Sequence, residues 1–171
     1  VIAQTQEGYS NLLKLSRLSY ERGFYYKPRI DLSLLVQLQK GLVVLSGCPT
    51  GYPTRIGNTL GYEPMVQFLK QMRERIDQYY IEIVPQPGWD VSHKIAPMLW
   101  QAAIELGIPV VFTADAHFPK PEHYEYQDAL LAVGLRTHIF DKERAIKLPE
   151  YQYYCSAEEV LERAKLVLPM V

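Results

Sequence analysis

The run Thr113-Ala114-Asp115-Ala116-His117 directly follows the apolar stretch Ile108-Pro109-Val110-Val111-Phe112. That stretch reads as a short buried parallel strand, β-branched and preceded by the helix-like Pro97–Leu106. Residues two apart in extended chain point to the same side, so Asp115 and His117 are expected to project together from the strand's carboxyl end. In parallel α/β folds, ligand and catalytic sites collect at that end. A carboxylate beside an imidazole there suits a shared metal ion or an acid/base pair. The alternative is that His117 packs under the following loop while Asp115 caps a turn. Spacing alone does not separate the two.

A second strand end bears on the choice. Gly41-Leu42-Val43-Val44-Leu45-Ser46-Gly47-Cys48 is another short apolar strand, ending in a small-residue turn that carries a cysteine. If the two strands run parallel, Cys48 opens onto the same rim as Asp115 and His117. Cys, His and Asp are ordinary zinc ligands, although a lone cysteine is more often a small buried hydrophobe.

The elements that must position these residues alternate between strand and helix. Residues 1–4 are strand-like, 7–19 helical with an apolar face of Leu12, Leu13, Leu15 and Leu18, and 24–29 an aromatic and basic loop. A short helix over 31–39 has Asp31 as its expected N-cap. Strand 42–45 is followed by a loop rich in Gly, Pro and Thr from 47 to 61. Helix is expected over 62–75, strand over 79–84, helix over 91–106, strand over 110–113 and helix over 122–133. The extended piece 151–154 precedes a helix over 156–166, which opens on the capping box Ser156-Ala157-Glu158-Glu159. This alternation predicts an α/β fold with a parallel sheet. Four strands are too few to close a barrel, so the edge at Val1 requires a partner or further sequence.

Composition excludes several classes of function. The chain has 171 residues, 48% hydrophobic and 22% charged, as in one soluble globular domain. A net charge of −1 supplies no overall field toward nucleic acid or anionic membrane. No apolar run approaches the length of a membrane helix, and no secretory signal opens the chain. Two cysteines, Cys48 and Cys155, make no disulfide framework, which suits a reducing cytoplasm. A first residue that is Val1 rather than Met suggests a piece of a longer protein.

These motifs, taken in order, resemble one family. The run Glu7-Gly8-Tyr9-Ser10-Asn11-Leu12, then Gly23-Phe24-Tyr25-Tyr26-Lys27-Pro28-Arg29-Ile30-Asp31, resembles the PHP (polymerase and histidinol phosphatase) domain of the bacterial DNA polymerase III alpha subunit. The strand ending in Cys48 continues the order, followed by Tyr80-Ile81-Glu82-Ile83 and Thr113-Ala114-Asp115-Ala116-His117-Phe118. Tyr153-Tyr154-Cys155-Ser156-Ala157-Glu158-Glu159 falls where that family closes the domain.

The resemblance implies part of a distorted (β/α)7 barrel whose N-terminal strands are missing from this chain. It implies a divalent-metal cluster, zinc or manganese, that hydrolyses phosphoesters as a 3′–5′ exonuclease in active members. In others the ligands have decayed and the domain is a scaffold. Carried over by motif, Cys48, Asp115 and His117 fall on metal-ligand positions. The family's His-x-His pair, the Asp-His after it, an acidic ligand and a further His are expected upstream, since His93, His117, His123 and His138 contain no such pair. The implied partners are the rest of the polymerase chain, DNA through the parent protein, and an exonuclease or clamp-associated replisome subunit, in the cytoplasm with no membrane role.

Further residues carry two readings each. Tyr25, Tyr26, Lys27 and Arg29 suit stacking on bases and holding phosphates. The preferred reading packs the tyrosines on the barrel and pairs Lys27 and Arg29 with Asp31 or Glu21. Glu82 suits either support of a metal ligand or an ion pair with Lys27 or Arg29, and the ion pair is preferred. His123 lies close enough in sequence to reach the rim of His117, whereas His93 and Cys155 read as surface and buried small residues. The competing functions are therefore part of a polymerase-fused phosphoesterase, a structural scaffold, and a free-standing phosphatase, against which Phe24–Asp31 counts. This segment alone is expected to bind metal weakly and show little activity.

Overall fold

The computed structural model describes residues 1–141 and 143–168. A four-stranded sheet in the order β1 (Ile2–Ala3), β2 (Leu42–Leu45), β3 (Tyr79–Ile83), β4 (Val110–Phe112) forms its centre. Strands β2, β3 and β4 are parallel, with Val44 opposite Tyr79 and Glu82 opposite Val111. The fold is thus α/β, with parallel strands alternating with helices. One expectation fails at the edge: β1 pairs antiparallel to β2, with Ile2 opposite Val43. The chain turns back after α1 (Gln6–Glu21) and α2 (Leu32–Gln37), and a two-residue strand is too short for its pattern to declare a direction.

The sheet's core residues come from β2, which is apolar throughout, and from alternate positions of β3. Leu42, Ile81 and Ile83 are almost completely buried, as are Met65 and Leu69 from α4 (Tyr62–Arg75) and Ala102 from α5 (Asp90–Leu106). Small Ala102 and Ala103 let α5 lie close against β3. The helix stops at Gly107, whose φ of +61° is the left-handed C-cap that glycine adopts without a Cβ penalty. That stop delivers the chain into β4.

Caps read from the sequence are present. Asp31 accepts from the Leu34 amide at 2.7 Å, and Ser156 Oγ accepts from the Glu159 amide at 3.2 Å at the start of α7 (Ala157–Val167). The stretch 47–61 departs from expectation, because it contains α3 (Tyr52–Leu60). Its Gly and Pro residues suggested loop, but Pro53 sits in the first turn, where a missing N–H costs nothing. α3 is then held by packing against α4 and α5. α6 (Tyr124–Gly134) follows a 3₁₀ turn at Pro121–His123, slightly later than the periodicity predicted.

Candidate functional site

Three side-chain hydrogen bonds tie the carboxyl ends of the parallel strands together. Ser46, just past β2, accepts the Glu82 backbone amide at 2.9 Å. Thr113, just past β4, donates its hydroxyl to the Glu82 carboxylate at 2.6 Å. Gln86, fully buried beyond β3, donates its amide to the Ala114 carbonyl at 3.3 Å. Ser92 of α5 accepts from the Gln86 amide and donates to the Val84 carbonyl, both at 3.0 Å, fixing the turn out of β3. Glu82 therefore bridges strands and does not pair with Lys27 or Arg29. The physical reason is access: Glu82 is half-buried on the central strand, whereas both cations lie on an exposed loop.

Beyond this rim the Asp115–His117 segment is irregular chain, not a continuation of the strand. Asp115 has φ +50°, a left-handed conformation that aspartate tolerates better than most residues. The His117 Nδ1 lies 2.6 Å from the Asp115 carbonyl oxygen. A carbonyl only accepts, so Nδ1 is the donor in this contact, which leaves Nε2 as the nitrogen not engaged by Asp115. Asp115 and His117 follow the end of β4, but the ring of His117 meets the backbone carbonyl of Asp115 and not its carboxylate, and the strand alternation expected of the pair is absent.

The segment 152–154 clips this stretch in place. The Gln152 carbonyl accepts from the His117 amide at 2.7 Å, and Tyr154 donates its amide to the Phe118 carbonyl at 2.9 Å. The Gln152 side chain donates to Asp115 Oδ2 at 2.8 Å and is nearly fully buried. Its Oε1, like that of Gln86, is buried with no hydrogen-bond partner among the described residues. An orphaned buried acceptor is uncommon in folded proteins, and here one occurs on each of two side chains that grip the Thr113–Asp115 segment. Sequence reasoning missed Gln86 and Gln152, since neither a glutamine between prolines nor one between tyrosines carries a periodic or motif signal. Replacing Gln152 by alanine removes the bond to Asp115 but also the orphaned oxygen. We expect a net loss of about 1 kcal/mol, read as a lower urea midpoint with unchanged slope.

Cys48 is partly exposed and lies 3.2 Å from the Thr50 hydroxyl. It lines a small cavity with Glu82, Thr54 and Ser92, while Asp115 lines a separate hollow with Tyr154, Cys155 and Leu161. Among the described residues no three His, Cys, Asp or Glu side chains are grouped to hold a metal ion. Asp115 and His117 supply an oxygen and a nitrogen donor suited to a divalent cation, but a catalytic zinc site normally takes three protein ligands. The described residues do not make a complete centre by themselves. His123 packs against Tyr126, with ring centroids 6.0 Å apart, and His93 accepts from the Gly88 amide at the start of α5.

The aromatic loop also departs from expectation. Tyr25 and Tyr26 do not pack on the sheet, being 63% and 83% exposed. Lys27 and Arg29 form no ion pair among the described residues, because Glu21 is taken by Arg17 and Asp31 by its capping role.

Comparison with known proteins agrees with this architecture. A family model described as PHP domain matches residues 1–86. The DNA polymerase III subunit alpha of Treponema pallidum is 36% identical over 93% of this chain and 14% of its own length. That of Deinococcus radiodurans is 36% identical over 96% of this chain and 12% of its own. The PolC-type DNA polymerase III of Halalkalibacterium halodurans is 34% identical over 92% of the chain and 11% of its own. The chain therefore spans well under a fifth of the length of these relatives. Its parallel strands, the motifs along them and a family match over half of its residues lead to one conclusion: the chain belongs to the PHP-domain family.

Proposed function

We propose that this chain is the PHP segment of a replicative DNA polymerase III alpha subunit, working in DNA replication in the cytoplasm. Within the parent polymerase, Asp115, His117 and Cys48 contribute donors to a divalent-metal phosphoesterase site with 3′–5′ exonuclease activity, completed by other residues of the parent. The observation that carries this reading is similarity, at 36% identity, to DNA polymerase III alpha subunits over more than nine-tenths of the chain. The His117 Nε2 that Asp115 leaves unengaged and the oriented Asp115 carboxylate add to it, since metal-binding histidines commonly donate their other ring nitrogen to a carbonyl or carboxylate. Zinc or manganese suits that donor set. Any one further protein ligand would bring Asp115 and His117 to a catalytic complement.

A second reading is a catalytically silent scaffold that stabilises the polymerase and docks an exonuclease or clamp-associated subunit. The lack of a three-donor group among the described residues favours it.

The deciding experiment uses the full-length parent polymerase. Release of nucleotides from a single-stranded 3′ end is followed with manganese or zinc, beside primer extension. Asp115→Ala and His117→Ala are each expected to reduce nucleotide release by about 10²-fold and to lower bound metal measured by elemental analysis. Unchanged release and metal content in both variants would overturn the ligand assignment. Primer extension without any metal-dependent release would leave the scaffold.

A further inference from the structure

We infer that the loop from Phe24 to Arg29 is a platform for single-stranded nucleic acid. The loop shares no residue with the candidate site at Cys48, Asp115 and His117, and the reading above bears on it only through the parent polymerase that supplies the single strand.

The loop is built to hold aromatic faces in solvent. Gly23 lies so close to the far side of the loop that a Cβ there would fall 1.9 Å from the Arg29 carbonyl oxygen. The Tyr25 amide donates to the Lys27 carbonyl at 3.1 Å, closing a tight turn around Tyr26. Tyr26 sits at φ +58°, a left-handed conformation that is costly for a bulky side chain. Burial commonly compensates such strain, but this ring is 83% exposed. Strain of this kind concentrates where a fixed backbone shape serves binding.

The rings are already ordered. Tyr25 and Tyr26 meet edge to face with centroids 4.7 Å apart, and the Arg29 guanidinium lies 5.2 Å from the Tyr25 centroid. Tyr20 and Phe24 stack nearby at 6.3 Å, both more than half exposed. Between Lys14 and Ile30 the only carboxylate is Glu21, which Arg17 neutralises, leaving Lys14, Arg22, Lys27 and Arg29. With Asp31 counted, residues 14–31 carry five cations and two carboxylates, a local excess of positive charge although the chain's net charge is −1.

Charge selects the partner. The core of a protein–protein interface is enriched in aromatics and arginine but depleted of lysine, so Lys27, which like Arg29 has no carboxylate partner among the described residues, is what tips the loop toward phosphate. Exposed aromatic faces with free cations match the stacking and phosphate contacts of single-strand binding. Duplex bases have their faces covered by neighbours, so an unpaired strand is the better fit.

The test uses the full-length parent polymerase and an oligothymidylate carrying 5-iodouracil. After irradiation, the crosslink is expected to map to Tyr25 or Tyr26. Tyr26→Ala should cut its yield about 5–10-fold, and Tyr26→Trp should restore it, since stacking at one base is lost and regained. Lys27→Gln with Arg29→Gln should flatten the salt dependence of the yield, with a slope near 0.7 per phosphate contact removed. Unlabelled single strand should compete and duplex should not. A crosslink absent from residues 24–29 in a polymerase that extends primers overturns the inference while leaving the polymerase reading intact. So does protection of Tyr25 and Tyr26 from hydroxyl radicals without DNA, which would mean that another part of the chain covers them. Failure to extend primers would sink the polymerase reading, and crosslink mapping would still decide this one.

Discussion

Replacing Gly8 by alanine is expected to destabilise the chain by about 2–3 kcal/mol, although alanine is the better helix former. Gly8 lies in the first turn of α1, and a Cβ there would sit 1.9 Å from the Gly41 carbonyl oxygen. Gly41, at φ +73°, is pressed in return against the Thr5 hydroxyl and the Gly8 backbone. The atoms that a Cβ on Gly8 would meet are all Gly41 backbone, so none can swing aside as a flexible side chain would. Overpacking commonly costs about 1–3 kcal/mol and more when backbone must move, against about 1 kcal/mol gained from helix propensity. The Gln4 amide donates to the same Gly41 carbonyl at 2.9 Å, so the displacement would also loosen β1 from β2. Thermal unfolding should show a midpoint lower by about 5–10 °C. An unchanged midpoint would mean that the contact between α1 and the entry to β2 is looser than described.

Arg163→Ala is expected to cost about as much, about 2–3 kcal/mol, and to reach the candidate site. The Arg163 side chain is only 5% exposed although it is charged. Its guanidinium donates to the Tyr151 carbonyl at 2.6 Å and to the Glu159 carboxylate at 2.7 Å. It also lies over the rings of Tyr151 and Tyr153, 5.4 and 4.5 Å from their centroids. Breaking a fully buried pair costs about 3–5 kcal/mol, and partial solvent access at Glu159 reduces that. Tyr151 and Tyr153 flank Gln152, the residue that grips Asp115 and His117, so α7 supports that stretch from a distance. Arg163→Lys is expected to rescue little, because lysine lacks the planar fork and the stacking face.

The same cluster sets a pH dependence. The Tyr153 hydroxyl, and after it Arg163, hold the Glu159 carboxyl below the usual glutamate range. A depressed folded-state value stabilises the fold above the unfolded value. That contribution is fully present above about pH 5 and is lost as pH falls through the lower folded value. Urea midpoints should therefore drop on acidification in the natural chain and fall less steeply in Glu159→Gln.

Much of this architecture is legible in the residues because it depends on neighbours in sequence. The apolar runs at 42–45, 79–83 and 110–112 declare strands, although 110–112 is only half-buried, and Asp31 and Ser156 declare helix starts. Each signal is local, and its physical cause, whether burial or a side-chain cap, operates within a few residues. The family could be read for the same reason, since its motifs are short runs at strand ends.

What tertiary structure decided depends on partners far away in the chain. The periodicity of 47–61 could not show α3, which packing against α4 and α5 stabilises despite its glycines and prolines. The direction of β1 depends on which side of β2 the chain returns to, and a two-residue strand carries no pattern for that. Glu82 looked like an ion-pair partner until Thr113, thirty-one residues away, proved to be its donor. Lys27 and Arg29 looked neutralised until Glu21 and Asp31 were found committed elsewhere. Gln152 reaches Asp115 across thirty-seven residues through a hydrogen bond that no spacing rule contains. Charge and hydrogen-bonding capacity are written in the sequence, but the choice among competing partners is made by distance, and only the folded chain sets distance.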